Sequence, residues 1–473
     1  MASSTSVPAG DRIPFLQKLL FSGGGTMDYL ATSLMMMFWM PYFNIGLGIS
    51  PAYLGGILMV LRGWDAFVDP VMGNLSDNAR TRWGRRRPFI AVGAVATAII
   101  FLWIWRLPPG LTDGWKAMYL IAVGVAYFTG YSCWSMPYYS LQLEMTPNYD
   151  ERTRLTAWMT LINKCTALLG GWAMALVTSS LFANRATGHA DIVHGVRSCS
   201  WLFAVMILLA GLLPALFVKE RYYKAETSHQ PKEPLWQSLK ESAGCVPLWQ
   251  LIGISFLLVL GSGIGGVLGQ YLNIYYVNGG NLSGASIIGG WISSATFLTG
   301  IVMLPFWTWM AEKFDKKIVL GMLLAGNLAG QALSFACLRP GMPYLQLIPA
   351  MFNSMSISAV WLLLPSMKGD VADYDELHNG RRREGSLNAF YSWFLKVGGT
   401  LAAGIGGLTL QFSGFSAALP EQAPEVLLRM RWLYVSLPIL VWSFTLIFIW
   451  RYPLSRLSME GIRSELEQRR GKV

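Results

Sequence analysis

Long apolar segments, separated by shorter polar ones, recur along the whole chain. A helix needs about 20 mostly apolar residues to cross the hydrocarbon core of a bilayer, and the 473-residue chain contains twelve such segments. Their approximate bounds are 19–46, 52–76, 88–106, 117–143, 155–183, 199–218, 247–277, 284–311, 318–338, 343–366, 386–413 and 430–451. The pattern predicts an all-α polytopic membrane protein with twelve transmembrane helices.

The longest polar stretch between these segments follows the sixth one, at 219–246. It divides the chain into an N-terminal six-helix bundle over 1–218, a cytoplasmic central loop, a C-terminal six-helix bundle over 247–452 and a cytoplasmic tail over 453–473. Two interpretations of the tail stay open, a basic helix on the membrane surface and a solvated segment.

The two halves carry similar residues at corresponding places. The fifth and eleventh segments open with the same spacing of Leu, Ala and Lys, which ends at Lys164 in one and at Lys396 in the other. Pro70 and Pro305 are each followed seven residues later by an acidic residue. Parallel six-helix repeats joined by a long middle loop are the pattern of the major facilitator architecture, so we predict that fold.

Composition and charge agree with a membrane protein. Hydrophobic residues make up 53% of the chain and charged residues 13%, whereas about a quarter of residues are charged in soluble domains. The net charge is +11, but most of the 37 Lys and Arg fall in loops on the same side as the N-terminus. By the positive-inside rule this side is cytoplasmic. We therefore expect both termini in the cytoplasm, lipid as a partner and no nucleic acid.

The sequence carries no motif of an enzyme or a metal centre. The five Cys and four His form neither a Cys-x-x-Cys pair nor a Cys/His cluster, and no phosphate loop or nucleophile motif is present. We expect no cofactor, no catalytic residues and no metal site built from Cys or His.

Charged residues inside the apolar segments are candidate functional residues. A charge at mid-membrane costs about 2.5–3.5 kcal/mol on insertion scales, so it persists where it pairs or faces water. These residues are Asp28 in the first segment, Arg62, Asp65 and Asp69 in the second, Lys164 in the fifth and Lys396 in the eleventh. Structural ion pairs between helices are the alternative to a functional role.

The second segment presents its charged residues on one helical face. Arg62, Asp65 and Asp69 are three and four residues apart, a spacing that aligns side chains along a helix. Two carboxylates one turn apart repel each other unless a cation or a proton lies between them. We therefore predict that Asp65 and Asp69 bind the coupling ion, Na⁺ or H⁺, with Ser132 as a further oxygen ligand and Arg62 as a coupling residue.

Polar and aromatic side chains share helical faces on two other segments. Ser132, Ser135 and Tyr139 are aligned on the fourth segment, and Ser392 and Lys396, with Tyr391 beside them, on the eleventh. Hydroxyl groups next to aromatic rings suit a sugar, whose polar edge accepts and donates hydrogen bonds while its apolar face stacks. Helix packing is the alternative for each aromatic residue taken alone.

A cluster of charges follows the second segment. Asp77, Arg80 and Arg86 lie close to the predicted interface, too near it for a substrate site. We interpret this cluster as a cytoplasmic gate or a clamp between helices.

The motifs resemble one family of carriers over nearly the whole membrane domain. The stretch 62–73 reads RGWDAFVDPVMG and continues to RWGRRRP at 82–88; later stretches read GDVADY at 369–374 and KVGG at 396–399. These stretches resemble the glycoside–pentoside–hexuronide:cation symporters, the melibiose permease family.

The resemblance implies a role for each matching residue. It implies that Asp65 and Asp69 bind the coupling cation, that Asp28 helps to bind sugar, and that Lys396 lies close to both sites. It further implies that Trp361, Tyr391 and Ser392 line the sugar cavity, and that Arg152, Asp370 and Arg382 take part in cytoplasmic closure.

The departures from the family concern the sugar site. Ser135 stands where melibiose permeases carry an Asp, Tyr139 where they carry a Trp, and Thr160 where they carry an Arg, with Lys164 one turn away. Galactoside specificity therefore does not carry over. We retain Ser135, Tyr139, Thr160 and Lys164 as substrate-site candidates, and the extra Lys raises the hypothesis of an anionic sugar such as a uronide.

We accordingly expect a monomeric secondary active transporter of the bacterial inner membrane. It couples entry of Na⁺ or H⁺ to uptake of a sugar or glycoside, with an oligosaccharide or a uronide among the candidate substrates, by alternating access. Two alternatives stay open at this point. One is a sodium-coupled lysolipid carrier, as in animal relatives of the family, and the other is a sugar sensor that does not transport.

Overall fold

The computed structural model describes residues 12–145, 149–184, 190–218, 243–379, 384–417, 419 and 421–470. Within these residues the secondary structure is helical throughout, apart from one isolated β-bridge between Ala183 and Ala190. The all-α architecture predicted from the hydrophobic pattern is confirmed.

The first half of the chain forms six long helical segments, the first and fifth of which are interrupted. The segments are α1 (Phe15–Tyr29), continued by π-helix Leu30–Leu34, α2 (Met35–Met40) and π-helix Pro41–Gly46; α3 (Pro51–Asn78); α4 (Arg87–Ile104); α5 (Asp113–Glu144); α6 (Tyr149–Gly170) with the short α7 (Ala173–Val177); and α8 (Ile192–Phe217).

The second half repeats the pattern of six long segments and adds a terminal helix. The segments are α9 (Val246–Tyr271) with π-helix Leu272–Val277, α10 (Leu282–Lys313), α11 (Lys316–Cys337), α12 (Leu347–Asn379), α13 (Glu384–Phe412) and α14 (Pro424–Arg451), followed by α15 (Arg456–Arg470). Together the two halves give the twelve helices that the sequence predicts.

Nine of the described helices are long and apolar enough to cross a membrane. The first, second and tenth segments are not among these nine. They contain Asp28, the acids of α3, and Lys368 with Asp370. The three helices that depart most from a purely apolar pattern thus all carry candidate residues.

Helix α12 extends further than the sequence predicts. The apolar segment ends near residue 366, and the polar residues after it were expected to form a loop. In the structure the helix continues to Asn379, because nothing in this polar stretch breaks a helix. Lys368 and Asp370 consequently lie on α12.

Local side-chain contacts define several helix ends. Asp191, Asn281 and Asp315 each accept a hydrogen bond from the backbone of the first turn of α8, α10 and α11, as residues at helix N-caps commonly do. Pro41 begins the second π-helix. Because proline has no backbone N–H, it removes an α-helical hydrogen bond at this point.

The chain divides into two compact units. The first contains Met1–Ile49 and Val60–Pro231, and the second contains Ser50–Met59 and Lys232–Val473. The first nine residues of α3, from Pro51 to Met59, therefore group with the C-terminal part of the chain, whereas its acidic residues belong to the first unit.

Each unit has its own core and an apolar exterior. Large aromatic side chains, among them Trp105, Trp134 and Tyr138, are fully buried in the first unit. Large apolar residues such as Ile99 of α4 and Leu209 of α8 are exposed. Exposed apolar side chains along spanning helices are what lipid tails solvate.

The terminal helix α15 packs on the second unit. Met459 joins the buried cluster that α9, α11 and α12 also build, and Ile462 packs against it. The backbone N–H of Arg456 donates to Oδ2 of Asp315 over 3.0 Å. One face of the tail is therefore packed against the protein.

Candidate functional site

Two carboxylates one turn apart on α3 are buried. The exposed fraction is 2% for Asp65 and 8% for Asp69. Ser132, on α5, donates its hydroxyl hydrogen bond to Oδ1 of Asp65 over 3.3 Å. The structure thus brings together, within the first unit, residues that the sequence assigns to the cation site.

Arg62 supplies a positive charge beside this acidic pair. Its guanidinium lies 3.8 Å from Oδ2 of Asp65 and 5.5 Å from the ring centroid of Phe128. A separation of 3.8 Å is an ion pair rather than a short hydrogen bond. Carboxylate and hydroxyl oxygens are the ligands that hard cations prefer, so the cluster has the chemistry for Na⁺ or for a proton.

Asp28 on α1 accepts hydrogen bonds from two tyrosines of α5. The hydroxyl of Tyr131 donates to Oδ1, and that of Tyr139 donates to Oδ2 over 2.8 Å. Tyr131 is 9% exposed and Tyr139 is 40% exposed. One donor is therefore fixed in the core of the first unit, while the other is accessible.

Sequence reasoning found Asp28 and Tyr139 but missed Tyr131. The signal was present, because Tyr131, Ser135 and Tyr139 are each four residues apart on α5 and share a face. Ser135 itself is buried, with 1% exposed.

Trp134 and Tyr138 belong to the core. Their rings stack at 4.5 Å, and Tyr138 stacks in turn on Phe21 at 4.6 Å. The indole N–H of Trp134 donates to the carbonyl of Gly211 over 3.0 Å, and the hydroxyl of Tyr138 to that of Phe21 over 3.0 Å. Both side chains tie α5 to neighbouring helices.

The two α6 candidates lie one turn apart. Thr160 is exposed, and its hydroxyl donates to the carbonyl of Thr156 over 2.9 Å within the helix. Lys164 is half-buried.

In the second unit, Tyr391 is buried and bonded to another helix. Its exposed fraction is 3%, and its hydroxyl lies 2.6 Å from Oγ of Ser255 on α9. Ser392 is exposed and Lys396 half-buried on the same helix. The side chain of Trp361, on α12, lies outside the described set.

A lysine that the sequence placed in a loop joins this region. Nζ of Lys368 donates to Oδ1 of Asn388 over 2.7 Å and lies 4.9 Å from the ring centroid of Tyr391. Sequence reasoning missed Lys368 as a site residue because it assumed that α12 had ended.

The gate candidates are described in part. Asp370 is 4% exposed and pairs with Lys316 at 2.6 Å, inside the second unit. Arg86 is buried and Arg80 exposed. The side chains of Asp77 and Arg152, and Arg382 as a whole, lie outside the described residues.

A buried acid near the start of α6 was not anticipated. Glu151 is 1% exposed and pairs with Lys18 at 2.6 Å and Arg154 at 3.1 Å. Its burial by itself would raise the pKa of the carboxyl group, but the hydrogen bond and charge of Lys18, with Ile13 and Arg154, hold that pKa below its ordinary value. This contact anchors α1 to α6.

Comparisons with known proteins agree with this architecture. A family model for MFS/sugar transport proteins matches residues 22–456. An uncharacterized symporter of Synechocystis is 28% identical over 98% of both chains. The isoprimeverose transporter of Lactiplantibacillus pentosus is 25% identical, over 99% of this chain and 95% of its own.

A third relative and two solved structures widen the picture. The sodium-dependent lysophosphatidylcholine symporter 1-B of Danio rerio is 24% identical, over 97% of this chain and 91% of its own. A bacterial homologue of the lysosomal transporter Spinster has a TM-score of 0.64 at 14% identity, over 96% of this chain and 98% of its own. A D-xylose–proton symporter has a TM-score of 0.58 at 13% identity, over 94% of this chain and 99% of its own. These structures share the fold.

The helices and the buried polar sites define a polytopic membrane carrier of the major facilitator class. Since the family match covers nearly the whole chain, the protein belongs to the MFS/sugar transport protein family. The resemblance to cation symporters drawn from the α3 motif is thereby confirmed. Its relatives are transporters rather than enzymes.

Proposed function

We propose that this protein is a secondary symporter of the bacterial inner membrane, with both termini cytoplasmic, that takes up a sugar or glycoside together with Na⁺ or H⁺. The main support for this proposal is the buried pair Asp65 and Asp69, with the Ser132 hydroxyl 3.3 Å from Asp65. Burying two carboxylates side by side is costly unless their charge is compensated. Binding one monovalent ion offsets part of that cost.

Coupling follows from the same electrostatics. The unloaded acid pair carries charge that opposes the conformational change, and ion binding reduces it. If substrate and ion each favour the conformation that moves, their binding free energies are linked reciprocally. Symport then proceeds by alternating access of the carrier, as in other members of this architecture.

The proposal that the substrate is a sugar rests on Asp28. A carboxylate with one accessible phenol beside it offers acceptors and a donor to the hydroxyl groups of a sugar. Tyr139 also supplies an exposed ring. The isoprimeverose transporter among the relatives supports a saccharide substrate.

The test is uptake into proteoliposomes that contain the full chain. Labelled galactosides, glucosides, xylosides, oligosaccharides and lysophosphatidylcholine are each offered with a sodium gradient, a pH gradient or neither. We expect one saccharide to accumulate when one of the two gradients is applied. Asp65→Asn or Asp69→Asn should abolish this accumulation but still allow internal and external substrate to exchange across the membrane.

The matched control is Asp113→Asn, since the Asp113 side chain is 86% exposed and pairs with Lys116 at the start of α5. It should leave accumulation unchanged. Accumulation of lysophosphatidylcholine and of no saccharide would replace the sugar symporter by the lysolipid carrier. Binding of a saccharide without any transport would identify a sensor.

A further inference from the structure

Helix α4 is just long enough to cross the core of a bilayer, so its two ends lie at the two membrane surfaces. It contains 18 residues, Arg87–Ile104, and is about 27 Å long at 1.5 Å per residue. The hydrocarbon core of a typical bilayer is about 30 Å thick. Between the ends, Val92 and Ile99 are 64% and 53% exposed, as side chains solvated by lipid tails are. The turn before Arg87 consequently lies at the level of the lipid headgroups.

Arg87 joins this end of α4 to the end of α8. Its Nε donates to the carbonyl of Ala215 over 2.6 Å, and its Nη2 donates to that of Leu216 over 3.0 Å. The side chains of Leu216 and Phe217 are 59% and 53% exposed. Exposed apolar side chains of both helices thus lead up to a cationic group, in the order in which a membrane lipid presents its acyl chains and its headgroup.

A tight turn just before α4 presents further arginines and a tryptophan. The backbone N–H of Gly84 donates to the carbonyl of Thr81 over 3.3 Å, and that of Trp83 donates to the Thr81 hydroxyl over 3.3 Å. Gly84 has a φ of +104°, which glycine adopts without strain. The turn leaves Trp83 74% exposed and both Arg80 and Arg82 exposed. Tryptophan is enriched at membrane interfaces, because its ring is apolar and its N–H is polar.

The charge of this turn is complementary to an anionic headgroup. The stretch 79–90 contains five arginines and no acidic residue. Arg85 and Arg86 are buried, so the fully accessible charges are those of Arg80 and Arg82. Guanidinium groups bind phosphate oxygens through paired hydrogen bonds. Clusters of basic residues next to a membrane-spanning helix are typical of sites for anionic lipids.

We propose that the turn 80–84, with the adjoining ends of α4 and α8, binds one anionic phospholipid. Arg80 and Arg82 contact the phosphate group, the ring of Trp83 lies against the glycerol region, and the acyl chains lie along the two helices. A soluble phosphate would need only the arginines, whereas the exposed tryptophan and apolar side chains favour a lipid. Arg80, a gate candidate by sequence, is thereby assigned to the membrane surface. The proposal goes beyond the transported substrate and does not depend on it.

The corresponding place in the second unit differs. Nζ of Lys317, at the start of α11, donates to the carbonyl of Tyr452 after α14 over 3.3 Å, as Arg87 does to the end of α8. The residue that precedes α11 is an acid, Asp315, whose Oδ2 accepts from the backbone N–H of Arg456 in α15 over 3.0 Å. The contact between helix ends is thus common to both units. We therefore assign the lipid to the exposed turn and not to Arg87 alone.

The experiment measures lipid that stays bound to the purified full chain in detergent. Native mass spectrometry gives the apparent Kd of added phosphatidylglycerol and, separately, of phosphatidylcholine. Thermal unfolding of the same samples is the second readout, with inorganic phosphate as a further arm. The variants are Arg80→Gln, Arg82→Gln, the double variant and Trp83→Ser. Arg106→Gln is the matched control, because Arg106 is exposed just beyond the other end of α4 and lies 5.0 Å from the ring centroid of the exposed Trp201.

In the wild type we expect phosphatidylglycerol to bind at least about tenfold more tightly than phosphatidylcholine, since each basic residue near an anionic lipid contributes about fivefold. Removing one arginine should raise the Kd of phosphatidylglycerol about fivefold, and removing both about 25-fold, while the Kd of phosphatidylcholine stays within about twofold. Trp83→Ser should weaken the binding of both lipids, because the ring contacts the part that they share. Arg106→Gln should bind both lipids as the wild type does.

Equal affinity of the wild type for the two lipids would overturn the proposal. So would a loss of phosphatidylglycerol binding in Arg106→Gln as large as that in the double variant. Stabilisation by inorganic phosphate equal to that by phosphatidylglycerol would overturn the lipid assignment in favour of a soluble anion. These readouts involve no transport, so they are separate from the uptake assay that tests the proposed symport.

Discussion

The hydroxyl of Tyr139 donates a hydrogen bond to Oδ2 of Asp28 over 2.8 Å, and so joins the first helix of the chain to α5. Tyr131 holds the other carboxylate oxygen from the buried side. The two phenols therefore bind the same acid in different environments. Removing one should have a different consequence from removing the other.

Tyr139→Phe should impair substrate recognition more than stability. Water can replace the lost phenol at this exposed position, but the accessible donor beside Asp28 disappears. We expect the KM for the transported sugar to rise about tenfold, the worth of a hydrogen bond to a charged group. Uptake assays of the wild type and the variant measure this change.

Tyr131→Phe should act chiefly on stability, because Asp28 then loses a buried donor at a cost of about 1–3 kcal/mol. Thermal unfolding in detergent measures it. Tyr119→Phe is the control for both variants, since its hydroxyl donates to the carbonyls of Trp103 and Arg106 at and just after the C-terminal end of α4. Equal effects of Tyr139→Phe and Tyr119→Phe on KM would contradict the role given to Asp28.

Glu151 makes stability depend on pH. Its pKa is lower in the folded protein than in the unfolded chain, since Lys18 and Arg154 favour the charged form. A lowered pKa contributes stability above the unfolded value, about 4.3, and that contribution is lost as the pH falls through the folded pKa.

Glu151→Gln should therefore lower stability by about 3 kcal/mol at pH 7, the lower range for removing one partner of a buried ion pair, because Glu151 and Lys18 are both buried or nearly so. The difference from the wild type should shrink as the pH falls below 4.3, about the pKa of a free Glu. Thermal unfolding at several pH values follows it. Glu460→Gln, whose carboxylate is 65% exposed in a pair with Arg456, should show no such difference. A pH-independent difference would assign the effect of Glu151→Gln to packing.

The hydrophobic pattern predicts the helices well, because the length and apolar content of a spanning helix are set by the bilayer. It misses the π-helical segments Leu30–Leu34 and Pro41–Gly46, since hydropathy carries no signal for an extra residue in a helical turn. It also ends the tenth segment too early, since a polar stretch can continue a helix into water. Lys368 was missed for that reason.

Side-chain spacing predicts which residues share a face, but not what they meet on another helix. The acids of α3 and the face that carries Tyr139 could be found from the sequence. The bonds of Asp28 to Tyr139 and of Tyr391 to Ser255 join residues more than one hundred positions apart. Such pairs depend on helix packing, which a single sequence does not encode in any local pattern.

Asp315 caps two helices with one carboxylate. Its Oδ1 accepts from the backbone N–H of Lys317 at the start of α11, and its Oδ2 from that of Arg456 at the start of α15, each over 3.0 Å. Asp315→Ala should cost about 1 kcal/mol at each cap and raise hydrogen exchange over residues 456–470. Asp315→Asn keeps one acceptor oxygen, so its stability and its hydrogen exchange should lie between those of the wild type and those of Asp315→Ala. Exchange in α15 equal to that of the wild type would contradict the double cap.

Gly195 of α8 permits a close approach of the α7 backbone. A Cβ atom at this position would lie 1.8 Å from the carbonyl oxygen of Val177 in α7, and both residues are buried. Gly195→Ala should therefore force the helices apart, at a cost of about 1–3 kcal/mol, as overpacking of a core does.

Gly321→Ala is the matched control, because no atom lies within 4 Å of a Cβ there. It should stabilise α11 by about 0.4–1 kcal/mol, since alanine has less conformational freedom to lose on folding. Thermal unfolding of both variants in detergent measures the difference, and a Gly195→Ala variant as stable as Gly321→Ala would show that α7 and α8 can separate without loss.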